Sequence, residues 1–584
     1  MSAGTGTPGD GLIEPHGPSG LIKPHGPTGP IKKERWGTRV GLVLAVAGNA
    51  VGLGNFLRFP AQAAQNGGGA FLIPYLVSFV LMGLPLLWVE WGIGRHGGQY
   101  GHHAAPGMFA RLGKAAWLKY VGVFGLFTNL TVAAYYCYIE SWTLAYVWHS
   151  LTGTFAETSA TKFFPEYLGT TLPSITSIPV EATCWFLATV ALNTYILSRG
   201  LVKGVELAAK IGMPLLLVFG AILAVRGLSL GPGDPGVIES PLVGLNFVWQ
   251  PQTSGLWNPS TWLAAAGQVF FTLSVGMGSI HCYAAYLRER DDIALNATTA
   301  GSVNEFVEVI LGSAILIPIA TAYLGLAAVQ AETAGGSGFG LAFLTLPTLF
   351  TQWGPWLGPI AGAMWFGLLF FAGITSSLAM GQPVVAFLKD EFNTRQDVAA
   401  LVFGLCTCVL GMMCVILYPG GTFNEFDFWT GTFSLIIFAF AEVIIFGWIF
   451  GIDRGWAEIN KGADLKLPAF FKYVIKYVTP AFIGAVLLAA LIKPSTGWGE
   501  AAHTLVTTGW WPFDPGSVIG KLIHVGTDWS WFDPKTGKVT PIFVEDLTRI
   551  VLLTVFALIA ALVRKAWRGK VIVHDIQPGG EVKL

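Results

Sequence analysis

The amino-acid sequence predicts an all-α membrane protein with twelve transmembrane helices. Its composition is unlike that of a water-soluble chain, because 53% of the 584 residues are hydrophobic and 12% are charged, against about 25% charged residues in a typical soluble domain. Twelve apolar segments also approach the about 20 helical residues needed to cross a bilayer. Their centres lie near residues 51, 83, 134, 190, 216, 274, 312, 373, 406, 439, 481 and 556.

Net charge and residue spacing exclude several classes of function. The formal net charge is zero, so we expect no nucleic-acid partner. The six cysteines lie in apolar segments, where we expect them to pack as small hydrophobic side chains without disulfides or bound metal. His281 and Cys282 are adjacent and face different sides of a helix, and His102 and His103 are expected to be solvated in a loop. The chain is therefore not expected to be an enzyme.

Lysine and arginine residues predict how the chain is oriented. They precede the first segment and follow the even-numbered segments, and the intervening short loops have almost none. Because basic residues in short loops tend to stay cytoplasmic, we predict a multi-pass protein of the cell (inner) membrane with both termini cytoplasmic. Residues 1–34, rich in Pro and Gly, are predicted to be a disordered cytoplasmic tail, and residues 571–584 are predicted to be a cytoplasmic tail.

The first apolar segment contains glycines and asparagines that an ordinary lipid-facing helix does not need. Gly48 and Gly52 fit a helix-packing face of the G-x-x-x-G type. This reading leaves Asn49, Gly54 and Asn55 unexplained. A helix that unwinds near residues 49–54 explains all five, because it frees carbonyl oxygens to bind a cation and amides to bind a carboxylate.

The sixth segment repeats this pattern, with Thr272, Ser274, Gly276 and Gly278 in one stretch. Two interrupted segments five apart predict a five-plus-five repeat, inverted because five is odd, with a binding site between the breaks. The first repeat is expected at residues 35–227 and the second at 228–453. Residues 454–570 hold two further helices and a long Trp-rich extracellular loop, a predicted lid or interfacial cover.

Five motifs resemble the neurotransmitter:sodium symporter family (sodium- and chloride-dependent neurotransmitter transporters), most of all its bacterial leucine-transporting member. They are AGNAVGLGNFLRFP at 47–60, NGGGAF at 66–71, YYCYIESW at 135–142, GQVFFTLSVGMG at 267–278 and FFAGITSS at 370–377. The resemblance implies sodium-coupled symport of a small molecule across the lipid bilayer by alternating access. It also leaves open a homodimer.

The resemblance implies two sodium sites, built from the hard oxygen ligands that such a cation prefers. The expected ligands are Ala50, Asn55, Thr272 and Asn304 for one ion, and Gly48, Val51, Ala372, Thr375 and Ser376 for the other.

The same resemblance implies an amino-acid substrate. Family members that carry monoamines have an aspartate where this chain has Gly52, so the substrate is expected to bring its own carboxylate. The expected substrate-binding residues are Asn49, Ala50, Leu53, Gly54, Val132, Tyr136, Phe271, Thr272, Ser274, Met277, Ser376 and Met380. No lining side chain is charged, which predicts a neutral, mostly hydrophobic L-amino acid.

Met277 and Met380 stand where the leucine-transporting member has phenylalanine and isoleucine. Methionine fills irregular gaps, so the range could extend to aromatic amino acids, and a leucine-like preference is the alternative.

Gates and ion dependence are also implied by the resemblance. Arg58 and Asp427 are expected to pair above the site, directly or through water, with Tyr136 and Phe271 as an aromatic lid. The expected inner gate consists of Lys33, Trp36, Tyr286 and Asp390. Chloride-dependent relatives have a serine in place of Glu308, so Glu308 is a candidate chloride-substituting or proton site. A carboxyl that is only hydrogen-bonded is the structural alternative, as a channel or a sensor is for the whole chain.

Overall fold

Helices make up almost all regular structure in the computed structural model, which describes residues 35–568 except 173, 175, 335–337, 465, 528 and 536. Within that part of the chain, only two isolated β-bridges occur. In chain order the long helices are α1 (Val40–Ala50 and Gly54–Gln65), α2 (Gly69–Gln99), α3 (Leu118–Leu151), α4 (Val180–Ser198), α5 (Leu201–Leu228), α6 (Pro259–Leu273 and Ser279–Ala285), α7 (Ile293–Leu324), α8 (Leu357–Phe392), α9 (Gln396–Ile416), α10 (Thr422–Ile459), α11 (Phe471–Ile492) and α12 (Pro541–Ala566).

The predicted helical fold is confirmed, with the expected interruptions in α1 and α6. Among the described residues, ten helices are long and apolar enough to cross a membrane, and there are eleven if the two halves of α1, bent by 44°, count as one span. The halves of α6 flank the remaining predicted centre near residue 274. This arrangement is consistent with twelve spans. The predicted tails, residues 1–34 and 571–584, lie outside the described residues.

The break in α1 follows from its local sequence. The first half ends at Ala50, and Val51 is extended with φ −76° and ψ 95°, so its carbonyl leaves the helical hydrogen-bond ladder. The side chain of Asn55 then accepts a hydrogen bond of 2.8 Å from the amide of Gly52. A side chain thus satisfies a backbone donor that the break exposes inside the protein, as the interior of a membrane protein requires.

The break in α6 depends on left-handed backbone. Ser274, Gly276 and Gly278 have φ values of 54°, 72° and 96°, which cost an L-residue with a Cβ about 1–2 kcal/mol each. A Cβ at Gly276 would also lie 2.4 Å from the carbonyl oxygen of Leu435. Gly276 is therefore required by both backbone conformation and packing, and the glycine pattern of the sequence marks the break itself.

Burial separates a central helix from peripheral ones. In α3, 94% of the most apolar window is buried, whereas the values are 28% in α11 and 22% in α12. Other helices therefore surround α3, which packs along α8, whereas α11 and α12 lie at the periphery. The α4 window is only 33% buried, so Cys184 is exposed on its outer face rather than packed inside as expected.

The Trp-rich loop is attached to two membrane helices. Lys521, in the loop helix Val518–Leu522, and Arg549 of α12 each lie 2.6 Å from a different carboxylate oxygen of Glu425 in α10. Trp510 and Trp529 are 62% and 69% exposed. The ion pair of Lys521 therefore holds the middle of the loop against α10, while these two indole rings face outward.

Candidate ion and substrate site

The two helix breaks contact each other directly. The Ser274 hydroxyl donates to the carbonyl oxygen of Asn49 at 3.0 Å. The Asn49 side-chain amide donates to the Ser279 hydroxyl at 3.2 Å. All three side chains are at most 5% exposed. The two breaks therefore meet in the protein interior, as predicted.

One group of oxygen-bearing side chains comes from α1, α6 and α7. The side-chain amide of Asn55 donates to Asn304 Oδ1 at 2.8 Å, and that of Asn304 donates to Thr272 Oγ1 at 3.1 Å. All three residues are at most 1% exposed. The structure thus brings together the three side chains expected to bind one sodium ion, and their oxygen atoms suit a hard cation.

Glu308 is bonded to every member of this group. Its Oε2 accepts from the Thr272 hydroxyl and, at 3.3 Å each, from the amides of Asn55 and Asn304. Its Oε1 accepts from Gln268 at 2.6 Å. Glu308 is fully buried in a π-helical stretch of α7, Phe306–Gly312. A buried carboxylate therefore lies beside the expected ion site.

Gln268 was not predicted from the sequence, although a signal for it exists. It precedes Thr272 by four residues in α6, within the motif at residues 267–278, so the two side chains share one helix face. A polar side chain one turn from an expected ligand was the available indication. Its partner Glu308 could not be inferred this way, because the contact joins two helices.

The second group lies between α1 and α8. Ser376 Oγ is 3.3 Å from the carbonyl oxygen of Gly48 and 3.1 Å from that of Ala372. The Thr375 hydroxyl donates to the carbonyl of Phe371 at 2.9 Å, and a Cβ on Gly48 would lie 3.1 Å from the Cβ of Thr375. Four of the five residues expected around the second ion therefore adjoin, and the fifth, Val51, has the freed carbonyl described above.

A small cavity lies between the two groups. Its volume is about 10 Å³, room for about one water molecule, so side chains must move to admit an amino acid. It is lined by Asn49, Ala50, Gly52, Gly54, Asn55, Val132, Tyr136, Phe271, Thr272, Ser274, Met277, Ser376 and Met380. All predicted substrate residues except Leu53 are present, and Gly52 and Asn55 are additional. The Leu53 amide instead donates to Tyr136 Oη at 3.0 Å.

A larger cavity of about 200 Å³ adjoins the small one. Both are lined by Gly54, Tyr136 and Phe271, so the expected aromatic lid lies where they meet. Arg58 and Asp427 also line the larger cavity. The Arg58 guanidinium lies 4.4 Å from the centre of the Phe271 ring, and Asp427 accepts a hydrogen bond of 2.9 Å from Tyr135. The pairing of Arg58 with Asp427 stays a prediction.

The expected inner-gate residues contact neighbouring helices. Trp36 Nε1 donates to the carbonyl of Tyr283 at 3.1 Å, and Gln382 donates to the Tyr286 hydroxyl at 3.1 Å. Asp390 accepts a hydrogen bond of 2.8 Å from the backbone amide of His103. Lys33, the expected partner of this gate, lies outside the described residues.

The expectation that His102 and His103 are solvated is wrong. The loop folds back onto the end of α8, where His102 Nδ1 lies 3.4 Å from Glu391 and His103 Nδ1 lies 3.2 Å from Asp390. The two imidazoles are only 21% and 18% exposed. The His103 ring also stacks on Tyr286 with ring centres 4.5 Å apart, so a loop residue joins the inner-gate group.

Comparisons with known proteins agree with this geometry. The model of the sodium:neurotransmitter symporter family matches residues 33–171 and 157–502. An uncharacterised sodium-dependent transporter of Methanocaldococcus jannaschii is 30% identical, covering 82% of this chain and 94% of its own. The sodium- and chloride-dependent GABA transporter 2 of Rattus norvegicus is 25% identical, covering 87% and 88%.

A solved structure supports the same assignment. The crystal structure of MhsT in complex with L-phenylalanine has a TM-score of 0.66 and 29% identity, covering 78% of this chain and 99% of its own. The chain belongs to the sodium:neurotransmitter symporter family, a family of sodium-dependent multi-pass membrane transporters and not of enzymes.

Proposed function

We propose that this protein is a symporter that couples two sodium ions to the uptake of neutral, mostly hydrophobic L-amino acids by alternating access. The observation that carries the proposal is the position of one cavity between two groups of oxygen ligands at two helix breaks. Sodium bound in either group would stabilise the local arrangement that also contacts the substrate. Binding of ion and substrate would then favour each other.

The space around Gly52 supports a substrate with its own carboxylate. A Cβ at this position would lie 2.8 Å from Tyr136 Oη and 3.0 Å from Ser376 Oγ. An acidic side chain here would have to displace both, which supports a substrate that brings its own carboxylate to this position. The Leu53 amide and the Tyr136 hydroxyl, now bonded to each other, are the donors that would bind it.

The rest of the cavity supports a neutral substrate side chain. Val132, Phe271, Met277 and Met380 supply its apolar wall, and an unpaired charge buried against them would cost several kcal/mol. MhsT, which has been solved with L-phenylalanine, supports a range that reaches aromatic amino acids. The two methionines can adjust to such a ring because their side chains are unbranched and flexible.

We further propose that transport does not require chloride. Glu308 already places a carboxylate against Asn55, Thr272 and Asn304, where a chloride ion would otherwise balance the sodium charge.

The inner membrane, with both termini cytoplasmic, is the location that the basic loops support. A reporter enzyme fused after Arg568 would test the orientation and is expected to be active only on the cytoplasmic side.

A competition experiment tests the substrate class. Purified protein in sodium buffer would be challenged with each of the twenty amino acids against radiolabelled phenylalanine and leucine. Hydrophobic neutral amino acids are expected to compete best, and replacement of sodium by choline is expected to abolish binding. Strongest competition by Arg, Lys or Glu would contradict the proposal.

Uptake into proteoliposomes separates a carrier from a sensor or a channel. An inward sodium gradient is expected to drive saturable uptake that gramicidin abolishes. Ser376→Ala removes a hydroxyl near the carbonyls of Gly48 and Ala372 and should lower sodium affinity about tenfold. Ser377→Ala is the matched control, because the Ser377 hydroxyl donates instead to Asn193 at 2.8 Å. Equal effects of the two variants would contradict the second ion site.

A further inference from the structure

Three titratable side chains meet in the protein interior outside the ion and substrate site. Glu90 of α2, His281 of α6 and Glu442 of α10 are all fully buried. One potential ligand atom from each lies within 4.8 Å of the others. Such groups are costly inside a membrane protein unless they have a function.

The imidazole of His281 lies between the two carboxylates. Its Nδ1 is 3.5 Å from Glu90 Oε2, and its Nε2 is 3.8 Å from Glu442 Oε2. Neither nitrogen has a hydrogen-bond partner in the described part of the chain, and neither do Glu90 Oε2 and both carboxylate oxygens of Glu442. These five buried polar atoms therefore lack hydrogen-bond partners, and a proton shared between the imidazole and a carboxylate would supply one.

Within the described residues, Glu90 and Glu442 form ion pairs with His281 but with no lysine or arginine side chain. Phe109 and Phe438 each have a ring centre 5.9 Å from that of His281. Basic side chains nearby have their own contacts: Arg95 bonds to Glu458, and Arg111 lies over the Tyr100 ring. The other titratable or charged residues on α2, α6, α8 and α10 are Tyr75 and His96 on α2, Cys282 and Tyr283 on α6 with Tyr286 directly after it, Lys389, Asp390 and Glu391 on α8, and Glu425, Asp427, Asp453, Arg454 and Glu458 on α10.

The group is bonded to the break in α6. Glu90 Oε1 accepts a hydrogen bond of 2.6 Å from the amide of Gly276, which adjoins Met277 in the substrate cavity. The carbonyl of Met277 in turn accepts from Asn129 at 2.7 Å. The charge of Glu90 therefore acts directly on the left-handed backbone of the break at Gly276.

We propose that Glu90, His281 and Glu442 form a proton-binding site in which an imidazolium bridges the two carboxylates and steadies the break in α6. A proton taken up by the neutral imidazole leaves each ring nitrogen with one N–H, and each N–H donates to a different carboxylate. A second proton then binds to a carboxylate oxygen. A divalent metal fits less well, because it would bind one imidazole nitrogen with both carboxylates on that same side.

Infrared titration of the purified protein in lipid nanodiscs, without substrate, tests proton binding directly. A protonated-carboxyl absorption is expected to appear as pH falls. Glu90→Gln and Glu442→Gln should each diminish it, and His281→Gln should shift its midpoint by at least about one pH unit, a tenfold change in proton affinity. Glu308→Gln is the control. It should remove the absorption of Glu308 itself, and adding His281→Gln to this variant should shift the midpoint as much as it does in wild type.

Three results would overturn the proposal. One is an absorption that none of the three variants alters. Another is a titration midpoint in His281→Gln that equals that of wild type. If His281→Gln does not fold, the same comparison is made with Glu442→Gln. The third is loss of the absorption on adding zinc to wild type but not to His281→Gln, which would identify a divalent ion as the occupant.

The effect of this site on transport rests on the proposed symport, whereas proton binding does not. Sodium-driven uptake by wild type should vary with pH between about 5 and 8, and uptake by His281→Gln should vary at least threefold less. An intact infrared titration without any sodium-driven uptake would contradict the proposed function alone. Unchanged pH dependence of uptake in His281→Gln would contradict the link to transport.

Discussion

Replacing Glu308 by serine is expected to make sodium binding depend on chloride. In the wild type, the Glu308 carboxylate is hydrogen-bonded to Asn55, Thr272 and Asn304. Serine removes this negative charge and leaves space where a chloride ion can accept the same hydrogen bonds. The variant should therefore bind sodium weakly without chloride and regain affinity when chloride is added.

The magnitude follows from the distance between the charges. Oε2 of Glu308 lies 3.3 Å from the amide nitrogens of Asn55 and Asn304, which places the carboxylate about 5 Å from an ion held by their oxygen atoms. At an effective dielectric constant of about 20, two unit charges at that distance attract by about 3 kcal/mol. Each 1.4 kcal/mol is about a factor of ten, so sodium affinity should fall on the order of 100-fold.

Sodium titration of phenylalanine binding measures this effect, with gluconate and then chloride as the anion. Glu308→Gln keeps the side-chain volume and should bind sodium weakly in both anions. Sodium affinity in gluconate within threefold of wild type for Glu308→Ser would refute the reasoning.

The remaining predictions concern the cavity and its two ends. Gly52→Ala should lower substrate affinity at least tenfold in equilibrium binding, because its Cβ would meet Tyr136 and Ser376. Gly267→Ala, where a Cβ has open space, should leave the affinity unchanged. Equal affinities of the two variants would contradict the assignment of the cavity as the substrate site. Met277→Phe combined with Met380→Ile should shift preference from phenylalanine towards leucine at least threefold in competition assays, and an unchanged ratio would show that these side chains do not set it. His103→Ala removes the stacking on Tyr286 and the imidazole contact with Asp390, so it should raise the cytoplasmic accessibility of a cysteine placed at Ala285. His102→Ala is the matched control. Equal labelling rates of that cysteine in the two variants would exclude His103 from the inner gate.

The broken helices could be predicted from the sequence because their cause is local. The break in α6 needs left-handed backbone at Gly276 and Gly278, and glycine is the residue that adopts it without strain. Polar residues beside the two breaks, Thr272 in α6 and Asn55 in α1, would be costly at that depth without such partners. The motif resemblance then predicted almost the whole lining of the cavity, down to Met380.

Contacts between distant helices could not be predicted in this way. The hydrogen bond from Gln268 to Glu308 and the contact between His103 and Asp390 depend on how helices and loops pack. Hydrophobic periodicity indicates which face of a helix is buried, but not which residue of another helix it meets. The expectation for His103 was wrong for this reason, since a polar loop reads as solvated until the helix end beneath it is known.

The break in α6 connects groups that looked unrelated along the chain. One end of the break supplies Thr272 and Ser274 to the ion and substrate site, while the Gly276 amide is held from the opposite side by Glu90. Movement of this backbone must therefore satisfy both sodium binding and the buried group around His281. Because this hydrogen bond joins the two, we expect a change of charge at Glu90 to alter the energy of the break and, through it, the affinity for substrate.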